Sequence, residues 1–149
     1  MESVIAIPHN RWCRAVDRWQ WRPEKPEAAG TLFTTILDYA RFMSAMLLTA
    51  DNYKHLANPT QKLSPKYLEK MLKPQIEIDN QMAWSLGWGL KEHGKEWSFW
   101  QWGDNPGFKH FAVGSRSHKF AAVIFTNGQN GKSVYRHIME AVLGIKLND

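Results

Sequence analysis

The chain has 149 residues, 44% of them hydrophobic, and a formal net charge of +5. That length suits one domain with a real core, and every basic stretch is broken by Glu, Asp or apolar positions, which argues against a nucleic-acid partner. The single cysteine, Cys13, has no partner for an internal disulfide, no Cys/His set has zinc-site spacing, no run is long and apolar enough to span a bilayer, and Met1 to Asn10 lacks the pattern of a signal peptide. No metal, no cofactor and no membrane are expected, and the compartment is left open.

Residues 1 to 30 show no clear period. They hold Pro8, Pro23 and Pro26, and Arg11, Arg14, Arg18 and Arg22 are spaced among Trp12, Trp19 and Trp21. This reads as an irregular arm, whose Arg/Trp interleaving is either a binding surface or Arg stacked on Trp to pin the segment. From Thr34 the pattern becomes helical. Thr34 or Thr35 caps, Asp38 sits in the first turn, and Ile36, Leu37, Tyr39, Ala40, Phe42, Met43, Met46 and Leu47 form a broad apolar face on a mostly buried helix ending near Leu48. A polar loop follows, in which Asn58-Pro59-Thr60 is no glycosylation acceptor. Ser64-Pro65 starts a short helix, with a Ser cap, an apolar stripe of Tyr67, Leu68, Met71 and Leu72, and a stop before Pro74.

Ile76 to Met82 reads as a polar connection and Trp84 to Leu90 as a strand, with His93-Gly94 turning into the next one. The organising stretch is Trp97 to Asn127, which reads as three successive antiparallel strands. Trp97, Phe99 and Gln101 alternate with Ser98, Trp100 and Trp102. The turn falls on Gly103-Asp104-Asn105-Pro106-Gly107, a second strand runs from Phe108 to Gly114, and Ser115 to His118 is a polar reversal. Phe120 to Thr126 is apolar enough for a buried central strand. Ser133 caps a last helix, Val134 to Leu143, closed by Gly144.

Several constellations bear on chemistry. Gly131-Lys132-Ser133 lies between strand and helix as in a phosphate-binding loop, but Thr126 stands where that pattern needs its first Gly. His137 and Glu140 share a helix face at metal-ligand spacing, and His110 and His118 lack a paired acid, so both sets read as exposed polar residues. No Gly-x-Ser-x-Gly occurs and no serine is followed three positions later by Lys, so no nucleophile is recognisable. The eight tryptophans, Trp12, Trp19, Trp21, Trp84, Trp88, Trp97, Trp100 and Trp102, suit a core, with some rings free to stack on a ligand.

Ala28 to Phe42, AAGTLFTTILDYARF, resembles a segment of the serine β-lactamase-like hydrolases, the group of class C β-lactamases, D-alanyl-D-alanine carboxypeptidases and related esterases. Gly87-Trp88-Gly89-Leu90, Trp100-Gln101-Trp102-Gly103-Asp104-Asn105-Pro106-Gly107-Phe108 and the final strand and helix resemble that family's closing strands, in order from about residue 4 onward. The resemblance implies an α+β fold, an antiparallel sheet of about three to five strands flanked by helices, as the C-terminal portion of a penicillin-binding-protein-like domain. With no internal repeat, low-complexity tract or linker, residues 1–149 read as a single domain, with 1–30 as the arm and 31–149 as the β-lactamase-like C-terminal portion. The resemblance further implies that Gln101, Trp102 and Gly103 stand at the triplet walling the family's active site, with the N–H of Asp104 as oxyanion donor, and that Trp88, Trp100 and Asn105 line the substrate. Gln101 departs from the family's cation, and Trp102 replaces a small residue, which favours an esterase- or peptidase-like pocket over β-lactam recognition.

The family's Ser-x-x-Lys and Tyr-x-Asn motifs precede the Ala28 segment, and neither is found here. The chain is therefore expected to be a truncated member, inactive alone, taking an ester, amide or β-lactam-like substrate only if the site is completed. The Phe120 strand would keep an open edge for a partner chain or self-association. The family is often periplasmic or extracellular. The alternative is a non-catalytic Trp-rich module binding cell-wall glycan or peptide, or a partner chain.

Overall fold

In the computed structural model of this chain, residues 5–17, 25–49 and 63–143 are described. They form three helices, α1 (Ile36–Met46), α2 (Pro65–Met71) and α3 (Gly131–Leu143), and six strands, β1 (Ile76–Glu77), β2 (Met82–Trp84), β3 (Gly89–His93), β4 (Glu96–Asn105), β5 (Phe108–Ser115) and β6 (Phe120–Thr126). The strands lie in one antiparallel sheet in chain order, β1 to β6. The α+β class is as expected, with a larger sheet. Arg18, Trp19, Trp21, Arg22, Pro23, the Asn58-Pro59-Thr60 loop and Gly144 lie outside the described residues.

α1 starts where a capping pair dictates. Thr35, with extended backbone, accepts the amide hydrogen of Asp38 at 3.1 Å and donates its hydroxyl to the Asp38 carboxylate at 2.8 Å. Those bonds, with Arg41 beside them, hold the Asp38 carboxyl below its ordinary range. The helix is less buried than its apolar face suggested. Met43 and Met46 are covered, whereas Ile36, Leu37 and Phe42 stay exposed. At α2, Ser64 takes the cap backbone conformation but its hydroxyl makes no capping bond, and Pro65 alone marks the start. α3 begins at Gly131, two residues before the expected cap. Ser133 lies inside it and donates its hydroxyl back to the Asn130 carbonyl at 2.8 Å.

The sheet departs from expectation at its first strands. β1 and β2 occupy the stretch read as a polar connection, and Ile76↔Trp84 and Glu77↔Ala83 pair across them. The Trp84 to Leu90 strand is broken in the middle. Trp84 ends β2, Gly89 opens β3, and between them Ser85 donates its amide to Trp88 O at 2.8 Å around Gly87 at φ +86°. Six strands result instead of three to five. β4 continues through Asn105, so the turn into β5 is only Pro106-Gly107. Among the described strands β6 comes last in the order, and its residues are half-buried rather than those of a fully buried strand.

The residues group into two compact units. One is drawn from Thr35–Gln101 and Ala112–Val123, the other from Met1–Thr34, Trp102–Phe111 and Ile124–Asp149. In the first, Met43, Met46 and Leu68 pack with Ala83, Trp88, Leu90, Phe99 and Ala112. The register explains this core, because Glu77, Ala83, Leu90 and Phe99 stand in one row across β1 to β4. In the second unit, Phe111 stacks on Tyr135 of α3 with ring centres 5.2 Å apart, and Met139 is buried. Burial raises the Tyr135 hydroxyl above its usual range.

The described residues before α1 include 5–17, and backbone and side-chain bonds hold these within the second unit. His9 exchanges backbone bonds with Asn127 and Gln129, both at 2.9 Å, and the Asn127 and Asn130 amides donate to Ile7 O and Arg11 O, again at 2.9 Å. The Arg11 guanidinium lies 4.1 Å from the Trp12 ring centre. Pro8 packs against Gly107, whose φ is +73° and whose missing Cβ would stand 2.5 Å from Pro8 Cβ. Gly107→Ala is therefore expected to lose about 1–3 kcal/mol from the left-handed backbone alone, with more from the clash, measured by urea denaturation.

Candidate active site

β4 is ten residues long and β3 only five, so β3 pairs with Glu96 to Trp100 and ends there. From Gln101 to Asn105, β4 keeps β5 on one side and no named strand on the other. The hairpin turns on Pro106 and Gly107, which sets Asn105 opposite Phe108, Asp104 opposite Lys109 and Gly103 opposite His110. The last two pairings are visible directly. Lys109 ion-pairs with Asp104, and a Cβ on Gly103 would lie 3.5 Å from the His110 Cβ. Antiparallel ladders alternate hydrogen-bonded and non-hydrogen-bonded pairs, and the pair flanking a two-residue turn is hydrogen-bonded. Asp104, next in line, therefore turns its N–H toward the side of β4 that β3 does not reach.

The pleat sorts the expected site residues. Gln101, Gly103 and Asn105 point to one side of β4 and Trp100, Trp102 and Asp104 to the other. The strand thus brings together Gln101, Gly103, Asn105 and the Asp104 backbone, and turns the Trp100 and Trp102 rings away from them. Trp100 lies across Gly89, where no Cβ would fit, with its ring 5.5 Å from that of Trp84. Trp88 is 4% exposed, edge-on to Phe99 at 5.1 Å and stacked with Phe42, which makes it a core ring rather than a substrate contact.

Two of the remaining side chains are already engaged. Gln101 Nε2 donates to Gly87 O at 2.8 Å, and Asn105 Nδ2 donates to Gly30 O at 3.2 Å. Gly30 is presented by a turn that Thr31 locks, its hydroxyl donating to Glu27 O at 2.8 Å and accepting from Glu27 N at 2.9 Å.

Lys109 and His110 were not singled out as site residues. The Lys109 side chain is 7% exposed, and its ammonium pairs with Asp104 and donates to Asn105 O at 3.1 Å. A buried ammonium therefore clamps the last two residues of β4. The signal was present as a cation and an anion facing across a two-residue Pro-Gly turn. His110, read as exposed, is half-buried beside Phe125, ring centres 4.5 Å apart, and its Nδ1 accepts from Thr126 N at 3.2 Å. Burial lowers its pKa, so the ring is neutral with its proton on Nε2.

Elsewhere, Ser115 Oγ and Ser117 Oγ lie 3.0 and 3.3 Å from His118 Nδ1, and Glu96 Oε2 lies 3.8 Å from that same nitrogen. A relay needs hydroxyl and acid on opposite ring nitrogens, so this cluster closes a turn and activates no serine. His137 Nδ1 donates to Ser133 O at 2.6 Å, and no group of three or more metal-ligating side chains occurs among the described residues.

A profile of the beta-lactamase family matches residues 6–143. No curated protein matches significantly. Among solved structures, an octameric penicillin-binding protein homologue from Pyrococcus abyssi superposes with a TM-score of 0.69 at 15% identity, over 95% of this chain and 31% of that one. This chain therefore spans about a third of that protein's length, and at such identity the likeness speaks for the fold alone.

The geometry gives two expectations. Asp104→Ala leaves a buried ammonium unpaired and is expected to cost about 2 kcal/mol, lowered from the fully buried case because Asp104 is half exposed, and adding Lys109→Met should restore part of it in a denaturation cycle. His110 has a folded pKa below its ordinary 6.5. Its neutral form favours folding fully above that value, and stability is lost as pH falls from there toward the folded pKa. Melting temperatures followed from neutral to acid pH should fall less steeply for His110→Gln than for the parent chain.

Proposed function

We propose, from the premise that the chain belongs to the beta-lactamase family, that it supplies the third-motif strand and the oxyanion side of a serine acyl-transfer site. The observation that carries this is the stretch of β4 beyond Trp100, which β3 does not reach and on which Gly103 carries no side chain. A carbonyl laid along that edge meets the Asp104 N–H, and a rigid backbone donor aimed at developing negative charge is the largest common contribution to acyl transfer. Gln101 borders the same edge with a neutral amide in place of a cation. That suits an ester or amide substrate better than one recognised by its carboxylate.

The 149 residues contain no Ser-x-x-Lys, so the attacking serine comes from sequence outside them. On this reading the chain by itself is inactive toward esters and β-lactams.

Intact mass of the chain after treatment with a fluorophosphonate, and separately with a penicillin, provides the test. No adduct is expected. A stoichiometric adduct on any one serine would show a complete nucleophilic site within these residues and overturn the proposal.

A further inference from the structure

The fold itself does not require glycine at position 103. Its φ is outside the left-handed region that Gly87, Gly94 and Gly107 occupy. Nor is it crowded. At Gly89 and Gly114 the Trp100 and Phe99 rings lie where a Cβ would stand, whereas a Cβ at 103 would meet no described atom nearer than 3.5 Å outside its chain neighbours. Its three nearest described neighbours, Cβ, Cγ and Cδ2, all belong to His110. Within 4 Å the space over Gly103 thus has one wall among the described residues, the half-buried His110 side chain.

That side chain is held in place. Nδ1 accepts the amide hydrogen of Thr126 at 3.2 Å, and the ring centre lies 4.5 Å from that of Phe125 and 6.1 Å from that of Phe108. With Nδ1 an acceptor, the ring hydrogen is on Nε2, bonded to the Cδ2 that lies 3.7 Å from the place of the missing Cβ. The ring therefore turns a polarised C–H and N–H edge to the space over Gly103. Such an edge favours the negative face of another aromatic ring over a saturated hydrocarbon. An anion is disfavoured here, because Lys109 lies on the opposite face of β5, paired with Asp104, and Phe108 and Phe125 would desolvate the charge without a cation to meet it.

We infer that the space over Gly103 takes an uncharged aromatic group attached to the substrate's carbonyl, and that His110 is the specificity-determining residue that meets this ring edge-on. The inference rests on the acyl-transfer reading above, in which the carbonyl meets the Asp104 N–H. Asp104 follows Gly103 directly, so a carbonyl held there sets its substituent beside the one position of the strand with no side chain.

The test is an NMR titration of the nitrogen-15-labelled chain with benzamide and with cyclohexanecarboxamide, which differ only in the ring, following the Asp104 amide and the His110 imidazole signals. Benzamide is expected to shift both saturably, and to bind about three- to tenfold more tightly than its saturated counterpart. His110→Gln keeps an acceptor for Thr126 and should bring the two amides to equal affinity. Gly103→Ala places a methyl in the space without a steric clash, and should abolish the His110 response to benzamide in a chain that still folds. Equal affinities in the parent chain, a preference that survives in folded His110→Gln, or no shift at His110 up to about 50 mM benzamide would overturn the inference. In each of these cases an Asp104 shift shared by both amides leaves the acyl-transfer reading standing. A shift at His110 with none at Asp104 would instead overturn that reading, and with it the carbonyl-linked placement of the ring.

Discussion

The candidate site depends on one mismatch of length. β3 reaches only to Gly89, opposite Trp100, while β4 goes on for five further residues beside β5. Beyond Trp100 the strand is held in register by the hairpin that turns on Pro106 and Gly107. A backbone donor fixed this way needs no reorganisation when charge develops before it, which is the property an oxyanion-binding strand requires. Fold and site therefore arise from the same count of residues.

The far end of that strand is stiffened by features that look unrelated in the sequence. Lys109 reaches back to Asp104 and the Asn105 carbonyl, Asn105 reaches across to Gly30, and Gly107 receives Pro8 on its bare side and the Gln129 side chain on its N–H at 2.8 Å. Each contact pairs a residue of the β4–β5 hairpin with one distant in sequence or across the turn. Buried ammonium groups are tolerated only when paired and hydrogen-bonded, so the environment that shelters Lys109 also fixes where Asp104 stands. Pro8 and Gly30, which belong to no helix or strand, are tied to this end of the sheet by those contacts.

Legibility in the sequence followed the range of the interactions. The Thr35 cap, the Pro65 start, the His93-Gly94 turn and β4 to β6 were readable because each is set by residues a few positions apart. The segment resembling known hydrolases is largely such a signal, since Thr35 and Asp38 form the capping pair of α1. β1 and β2 were missed because strands of two and three residues carry too few positions for a period to show. Ser133 was misassigned because a hydroxyl in the first turn can donate backward as readily as accept. The exposure of Ile36 and Leu37 and the burial of Trp88 depend on which partner faces them, and composition cannot supply that. At the site, the triplet and Gly103 came through resemblance, whereas the sorting of Trp100 and Trp102 away from Gln101 needed only the strand's period of two once the strand was known to run unbroken through Asn105.

Gln101 joins the two halves of this account. Its amide donates to the carbonyl of Gly87, the left-handed residue in the turn that separates β2 from β3. That turn decides where β3 begins, and hence how much of β4 it pairs with. A lysine at position 101 could make the same link, but only by bringing a full positive charge to the open edge, where desolvation and the choice of substrate would both change. Glutamine makes the link while remaining neutral. The residue that departs most from the family's pattern therefore has a structural task, holding the turn that exposes the strand, and the electrically neutral edge follows from the side chain chosen for it.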